Sequence, residues 1–117
     1  FKTELLKGLH SFDTAGATPA GSVFKIALYN SSAALGTTTT VYTTTEELAT
    51  ATGYTRPGKA LTNTGVGITT VTSFTDFSDI SWTSASFTTR GCLIYNSSSV
   101  EMHGVIMSGV QMLIPFL

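Results

Sequence analysis

The residues able to do chemistry are few in this chain and stand apart from one another. His10 and His103 are the only histidines. Neither has a second ligand at the spacing a metal needs, and His-X-X-X-His and His-X-His patterns are absent. Both histidines read as packing or surface residues. Asp76 and Asp79, three positions apart, are the nearest approach to a carboxylate pair or a weak calcium site. In a strand-and-turn context they read more simply as turn carboxylates that cap backbone N–H groups. Cys92 is the only cysteine, which excludes an internal disulfide and any multi-cysteine zinc site. Flanked by Gly91 and the apolar Leu93-Ile94, it reads as a buried, inert thiol.

The familiar motifs are missing. No serine occupies a Gly-X-Ser-X-Gly elbow, and no glycine-rich loop ends in Gly-Lys-Ser/Thr. Gly65-Val-Gly67 lacks a third glycine and falls in a β pattern. Asn30-Ser-Ser32 and Asn96-Ser-Ser98 match the glycosylation triplet, which is common by chance. Trp82 with Phe74, Phe77 and Phe87 offers either a carbohydrate-stacking platform or a core aromatic cluster, and alternation with polar residues favours the core. Tyr54-Thr-Arg-Pro-Gly58 reads as a turn that exposes Arg56, either to a neighbouring subunit or to solvent.

Composition limits what such residues could be used for. About three residues in ten are Ser or Thr, 42% are hydrophobic and only 11% are charged. Low charge with abundant Thr, Val, Ile, Phe and Tyr favours strands, because branched and aromatic side chains suit a pleated, half-buried surface. A net charge of −1 gives no basis for nucleic-acid binding, which needs several phosphate-neutralising cations. It also leaves little repulsion between copies, so self-association or attachment to something larger is expected. No apolar stretch reaches the length of a membrane span. The chain opens on Phe1 rather than Met, and Phe1 to Phe12 lacks a signal-peptide-like apolar core.

The 117 residues predict a single all-β domain, an antiparallel β-sandwich or a jelly-roll-like barrel, with a short N-terminal helix. Three parts are expected: a docking helix or arm over 1–12, a β body over 23–96, and an apolar hairpin or tail over 100–117. Phe1, Leu5, Leu6 and Leu9 share a helical face that is too short to be stable alone, so it must dock on the sheet or on a neighbour. Val23 to Tyr29 is the clearest strand, with Phe24, Ile26 and Leu28 on one face and Lys25 and Ala27 on the other. Val41-Tyr42 is a possible edge strand or a loop. Thr45 to Leu48 is a capped helical turn or an extended arm. Gly53, Pro57-Gly58 and Gly65 break the pattern.

Lys59 to Thr62 and Val66 to Phe74 read as strands, the second with a bulge near Thr69-Thr70. Phe87 to Tyr95 is a further strand, with Phe87, Thr89, Leu93 and Tyr95 on one side and Arg90, Cys92 and Ile94 on the other. Asn96 to Ser99 is a turn. Val100 to Met107 and Val110 to Leu117 complete a terminal hairpin about Ser108-Gly109.

An ordered set of these segments resembles small structural proteins of tailed bacteriophages, of the head-decoration or tail-fibre-like kind. The set begins with Phe-Lys-X-X-Leu-Leu-X-Gly-X-His-X-Phe from Phe1 to Phe12 and continues with the strand Phe24-Lys-Ile-Ala-Leu-Tyr29. Glu46-Glu47 and Gly53-Tyr-Thr55 follow, then the aspartate-aromatic stretch Phe77 to Ser84, and last Arg90-Gly-Cys-Leu-Ile-Tyr-Asn96. Val100 to Leu117, rich in methionine, departs from the series. The resemblance implies an all-β virion protein present in many copies, on the capsid surface or the tail, and no catalytic residues.

From these features we expect a capsid decoration or cement subunit, a homo-oligomer and most simply a trimer, bound to the major capsid protein or other virion proteins. Nucleic-acid, membrane and cofactor partners are not expected. The contact residues expected are Phe1, Leu5, Leu6, Leu9 and Arg56, with Met112, Leu113, Ile114, Phe116 and Leu117 at the other end. A tail or head-fibre component that binds a host glycan is the alternative. A small virion-borne hydrolase acting through Asp76 or Asp79 is the remote third.

Overall fold

The computed structural model describes residues 2–17, 20–36, 38–51, 53–98 and 104–105. The fold is all-β: two antiparallel sheets and one five-residue helix, α1 (Lys2–Leu6). The first sheet contains β1 (Phe24–Tyr29), β2 (Lys59–Ala60), β5 (Gly91–Asn96) and β6 (Gly104–Val105), in the order β2-β1-β5-β6. The second is a two-stranded ribbon of β3 (Asn63–Thr69) and β4 (Thr72–Phe77). The architecture is sandwich-like. Of the two forms expected, the barrel is not closed, since β2 and β6 stand at the free ends of the first sheet.

The pair β1–β5 is the centre of the molecule, in full register from Phe24 opposite Asn96 to Tyr29 opposite Gly91. Its side chains alternate across the sheet, and both sides are buried. On one side Phe24, Ile26, Leu28 and Ile94 pack with Tyr54 and Trp82. Phe12, Leu48, Leu61, Phe77 and Phe87 close over them. On the other side Ala27, Tyr29, Leu93 and Tyr95 are covered by Ala33, Leu35 and Tyr42. The faces expected for β1 are therefore correct. Phe87 is a correction: it lies before β5 rather than in it, and it packs with Ile94 instead of with Leu93 and Tyr95.

Two connections are also corrected. Thr45 to Leu48 is not a capped helical turn, and its extended second half, the alternative expected, lies against the sheet. It makes a turn in which Glu46 takes a positive φ of 61°, and then runs antiparallel beside β1. There Leu48 N–H donates to Leu28 C=O and Asn30 N–H donates to Glu46 C=O, which continues the sheet edge beyond the short β2. The slip at Thr69-Thr70 is a hairpin turn rather than a bulge, with Thr69 facing Thr72 across a two-residue loop. The bulge lies at the base of the ribbon, between Asn63 and Gly65. Of the expected terminal hairpin, only Gly104–Val105 is described, paired with Ile94 and Tyr95. The remainder of 100–117 lies outside the described residues.

Candidate interaction surfaces

The N-terminal segment reaches the body through polar and aromatic contacts, not through its leucines. Leu5, Leu6 and Leu9 are exposed, Leu6 to 91%. His10, by contrast, is buried, with Nε2 3.1 Å from Glu4 Oε2 and Nδ1 3.2 Å from Asn96 Nδ2. Asn96 Nδ2 also donates to Leu9 C=O at 2.9 Å. Phe12 stacks on Phe24 with ring centroids 4.6 Å apart. Among the described residues the leucine face thus does not dock on its own sheet. Phe1, His103, Met112, Leu113, Ile114, Phe116 and Leu117 lie outside the described residues.

The ribbon β3–β4 is anchored at its base and bare beyond it. Asn63 Nδ2 donates to Asp13 C=O and Ser22 C=O, and Ser78 N–H donates to Thr62 C=O. Phe77 sits edge-on to Phe24, centroids 5.5 Å apart. Farther out, the register places Val66 and Ile68 on one face with Thr75 and Ser73, and Phe74 on the opposite face beside Gly67. The Phe74 ring lies over Gly67 so closely that a Cβ there would stand 2.5 Å from Phe74 Cζ. Val66, Ile68, Val71 and Phe74 are all more than half exposed. No sequence signal marked this surface, because Thr69-Thr-Val-Thr72 contains none of the residues that usually turn a hairpin.

Arg56 and Glu47 form the charged centre of the body. The Glu47 side chain is fully buried. Its Oε2 accepts from Tyr42 Oη at 2.5 Å and its Oε1 from Tyr54 Oη at 2.7 Å. Tyr54 Oη accepts in turn from Leu28 N–H. Arg56 stays partly exposed, but its guanidinium is engaged within the chain. Nε donates to Leu48 C=O at 2.8 Å and lies 3.7 Å from Glu47 Oε2, while Nη2 donates to Glu47 C=O. Tyr29 Oη donates to Thr43 C=O, and Tyr95 Oη to Pro57 C=O.

All four tyrosines of the chain therefore surround one carboxylate. Burial, and after it the negative charge of Glu47, pushes Tyr29 and Tyr95 up to about 12. Burial and the hydrogen bond to Glu47 raise Tyr42 and Tyr54 further still. A carboxylate sealed from solvent among protonated phenols is an internal brace: no substrate reaches it.

The remaining candidates do not converge. Asp76 lies within β4, where its Oδ1 accepts from the adjacent Phe77 N–H, while Asp79 lies exposed two residues past the end of β4. Trp82 is buried and packs edge-on to Phe87, and Phe77 belongs to the Phe12–Phe24 stack, so these three join the core, the reading favoured over a carbohydrate platform, while Phe74 stands apart on the ribbon. Beside Trp82 is a small cleft of about 160 Å³ lined by Gly53, Thr55, Gly58, Lys59 and Thr83. Lys59 Nζ lies 5.8 Å over the indole and donates to Ser81 C=O. Burial raises the Cys92 thiol, in keeping with an unreactive packing role. The Asn96 amide is buried and hydrogen-bonded, and cannot accept a glycan in the fold. Among the described residues no group of three or more His, Cys, Asp or Glu could hold a metal ion, and no helix is long and apolar enough to cross a membrane. Comparison with protein-family models, with curated proteins and with solved structures finds no match.

Proposed function

We propose that the chain is a structural subunit of a tailed-bacteriophage virion, a decoration or cement protein that stabilises the head shell. The observation that carries this reading is the pairing of a braced interior with two uncovered apolar surfaces: the Leu5, Leu6 and Leu9 face, and the ribbon. A cement subunit must grip both the shell and its own neighbours, and two separate apolar surfaces suit that task. Each contact is modest, since apolar burial contributes about 25 cal/mol per Å². Repetition over many copies makes it large.

Heat and osmotic challenge of particles with and without the protein tests the reading. Stripped particles are expected to rupture at lower temperature and under milder osmotic shock, and Leu6→Asp protein is expected not to restore them. Unchanged resistance after stripping would remove the cement role. Copy number separates the tail or head-fibre alternative, which calls for a few to tens of copies where decoration calls for hundreds.

A further inference from the structure

The side chains that line the cleft beside Trp82 offer donors and meet no acceptor for them. Lys59 Nζ is held in place by Ser81 C=O, to which it donates at 2.6 Å, and by the indole face 5.8 Å away. An ammonium carries three donors, so two are left over. No carboxylate among the described residues lies within 4 Å of Lys59 Nζ, and the charge has no counter-charge there. Trp82 is only 6% exposed, yet its Nε1–H donates to no group among the described residues. A buried indole N–H normally finds an acceptor, and leaving it without one is costly. The exposed Thr55 and Thr83 hydroxyls line the same cleft and also have no partner among the described residues.

Between these groups the walls are bare backbone. Gly53 and Gly58 take φ of 84° and 86°. A Cβ would stand 2.6 Å from Ala85 Cα at the first and 2.0 Å from Ile26 O at the second. No side chain fits at either position, so both walls keep a fixed shape.

We propose that this cleft binds a sugar acid, a single pyranose ring bearing a carboxylate. The carboxylate supplies negative charge to Lys59 and an acceptor to Trp82 Nε1–H, the two things the cleft lacks. Ring hydroxyls exchange hydrogen bonds with Thr55 and Thr83, which donate and accept equally well. Size sets the limit. At about 160 Å³ the cleft has roughly half the volume of the smallest drug-sized pocket, so it takes one sugar unit and not a chain. So small a ligand at so open a site binds weakly, in the millimolar range. A shell subunit and a fibre component could each carry this site, which stands apart from the cement role.

Trp82 is the only tryptophan, so its signals read this site alone. Titration of the purified full chain with glucuronate is expected to change Trp82 emission saturably. The single indole N–H signal in a nitrogen–proton correlation spectrum is expected to move downfield as it gains an acceptor. Glucose and acetate, which each lack half of the ligand, are expected to bind at least about tenfold more weakly. Lys59→Gln should weaken glucuronate about tenfold and leave glucose unchanged, whereas Lys59→Arg should keep most of the affinity. Thr83→Val should weaken glucuronate and glucose alike. Both side chains are exposed, so an unaltered urea midpoint checks that the variants are folded. A wild-type chain with no saturable response to glucuronate would overturn the proposal. So would acetate or glucose binding as tightly as glucuronate, or a folded Lys59→Gln protein that binds glucuronate like the wild type.

Discussion

In β1 the side chains of Phe24, Ile26 and Leu28 point to one side of the sheet and those of Ala27 and Tyr29 to the other, and both sides are closed by the chain itself. In β3, Val66 and Ile68 alternate with glycines in the same manner, yet they meet solvent, as does Phe74 across the ribbon. Both strands are uncharged or nearly so and rich in residues suited to sheets. What separates them is the cover. Ala33, Leu35 and Tyr42 cover one side of the β1–β5 pair and Leu48, Tyr54, Trp82 and Phe87 the other, whereas nothing among the described residues wraps the ribbon beyond its base. Strand-forming residues thus serve two ends here: one set completes a core, and the other forms an exposed apolar surface.

The comparison breaks most readily at Glu47. If the body is an internally braced unit, Glu47→Ala should be among its most damaging changes. It leaves the buried Tyr54 hydroxyl and the half-buried Tyr42 hydroxyl without their acceptor, at about 1–3 kcal/mol for the first and toward the low end of that range for the second. We expect a loss of about 3–4 kcal/mol in urea unfolding, with Glu47→Gln intermediate because one amide oxygen can still accept. A loss below about 1 kcal/mol would show that the carboxylate does not brace the body.

Leu28→Ala against Ile68→Ala measures the contrast directly. Leu28 is fully buried, and truncation there should cost about 3 kcal/mol. Ile68 is 71% exposed, and its truncation should change monomer stability by no more than about 0.5 kcal/mol. Equal effects would mean that the ribbon belongs to the core after all.

How much of this was legible in the sequence differs between the two regions. The faces of β1 could be read because Phe24, Ile26 and Leu28 alternate without interruption, and the alternation has one structural meaning. Glu47 could not. An acidic pair after a threonine reads as the start of a capped turn, and only the later fold brings Tyr42, Tyr54 and Arg56 around Glu47. Tyr54-Thr-Arg56 was the available hint, since an Arg beside a turn can reach back to a carboxylate. The ribbon was misread for a different reason. Thr70 turns the chain at a φ of 54°, a conformation that β-branched residues rarely adopt, so no turn rule places a hairpin there. The leucine face was identified correctly as apolar, but spacing alone does not say whether a helix packs on its own chain or on another.

Alkaline pH has a smaller effect, and it sharpens the comparison because the tyrosines belong to one region only. In the unfolded chain a tyrosine loses its proton near pH 10, whereas folded Tyr29 and Tyr95 hold theirs to about 12. Between those values the unfolded state binds fewer protons, so the unfolding free energy falls as pH rises. Below about pH 10 the contribution is fully present. The urea midpoint should therefore be flat from neutrality to about pH 9 and then decline through the window up to about pH 12. Phenylalanine at Tyr29 or Tyr95 should flatten that decline, even where it lowers stability at neutral pH. The ribbon contains no tyrosine, so Val66→Thr/Ile68→Thr should leave the slope as it is in the wild type. A change of slope in that ribbon variant would mean that the two regions share one cooperative interior, and that the division between a closed body and an open ribbon does not hold.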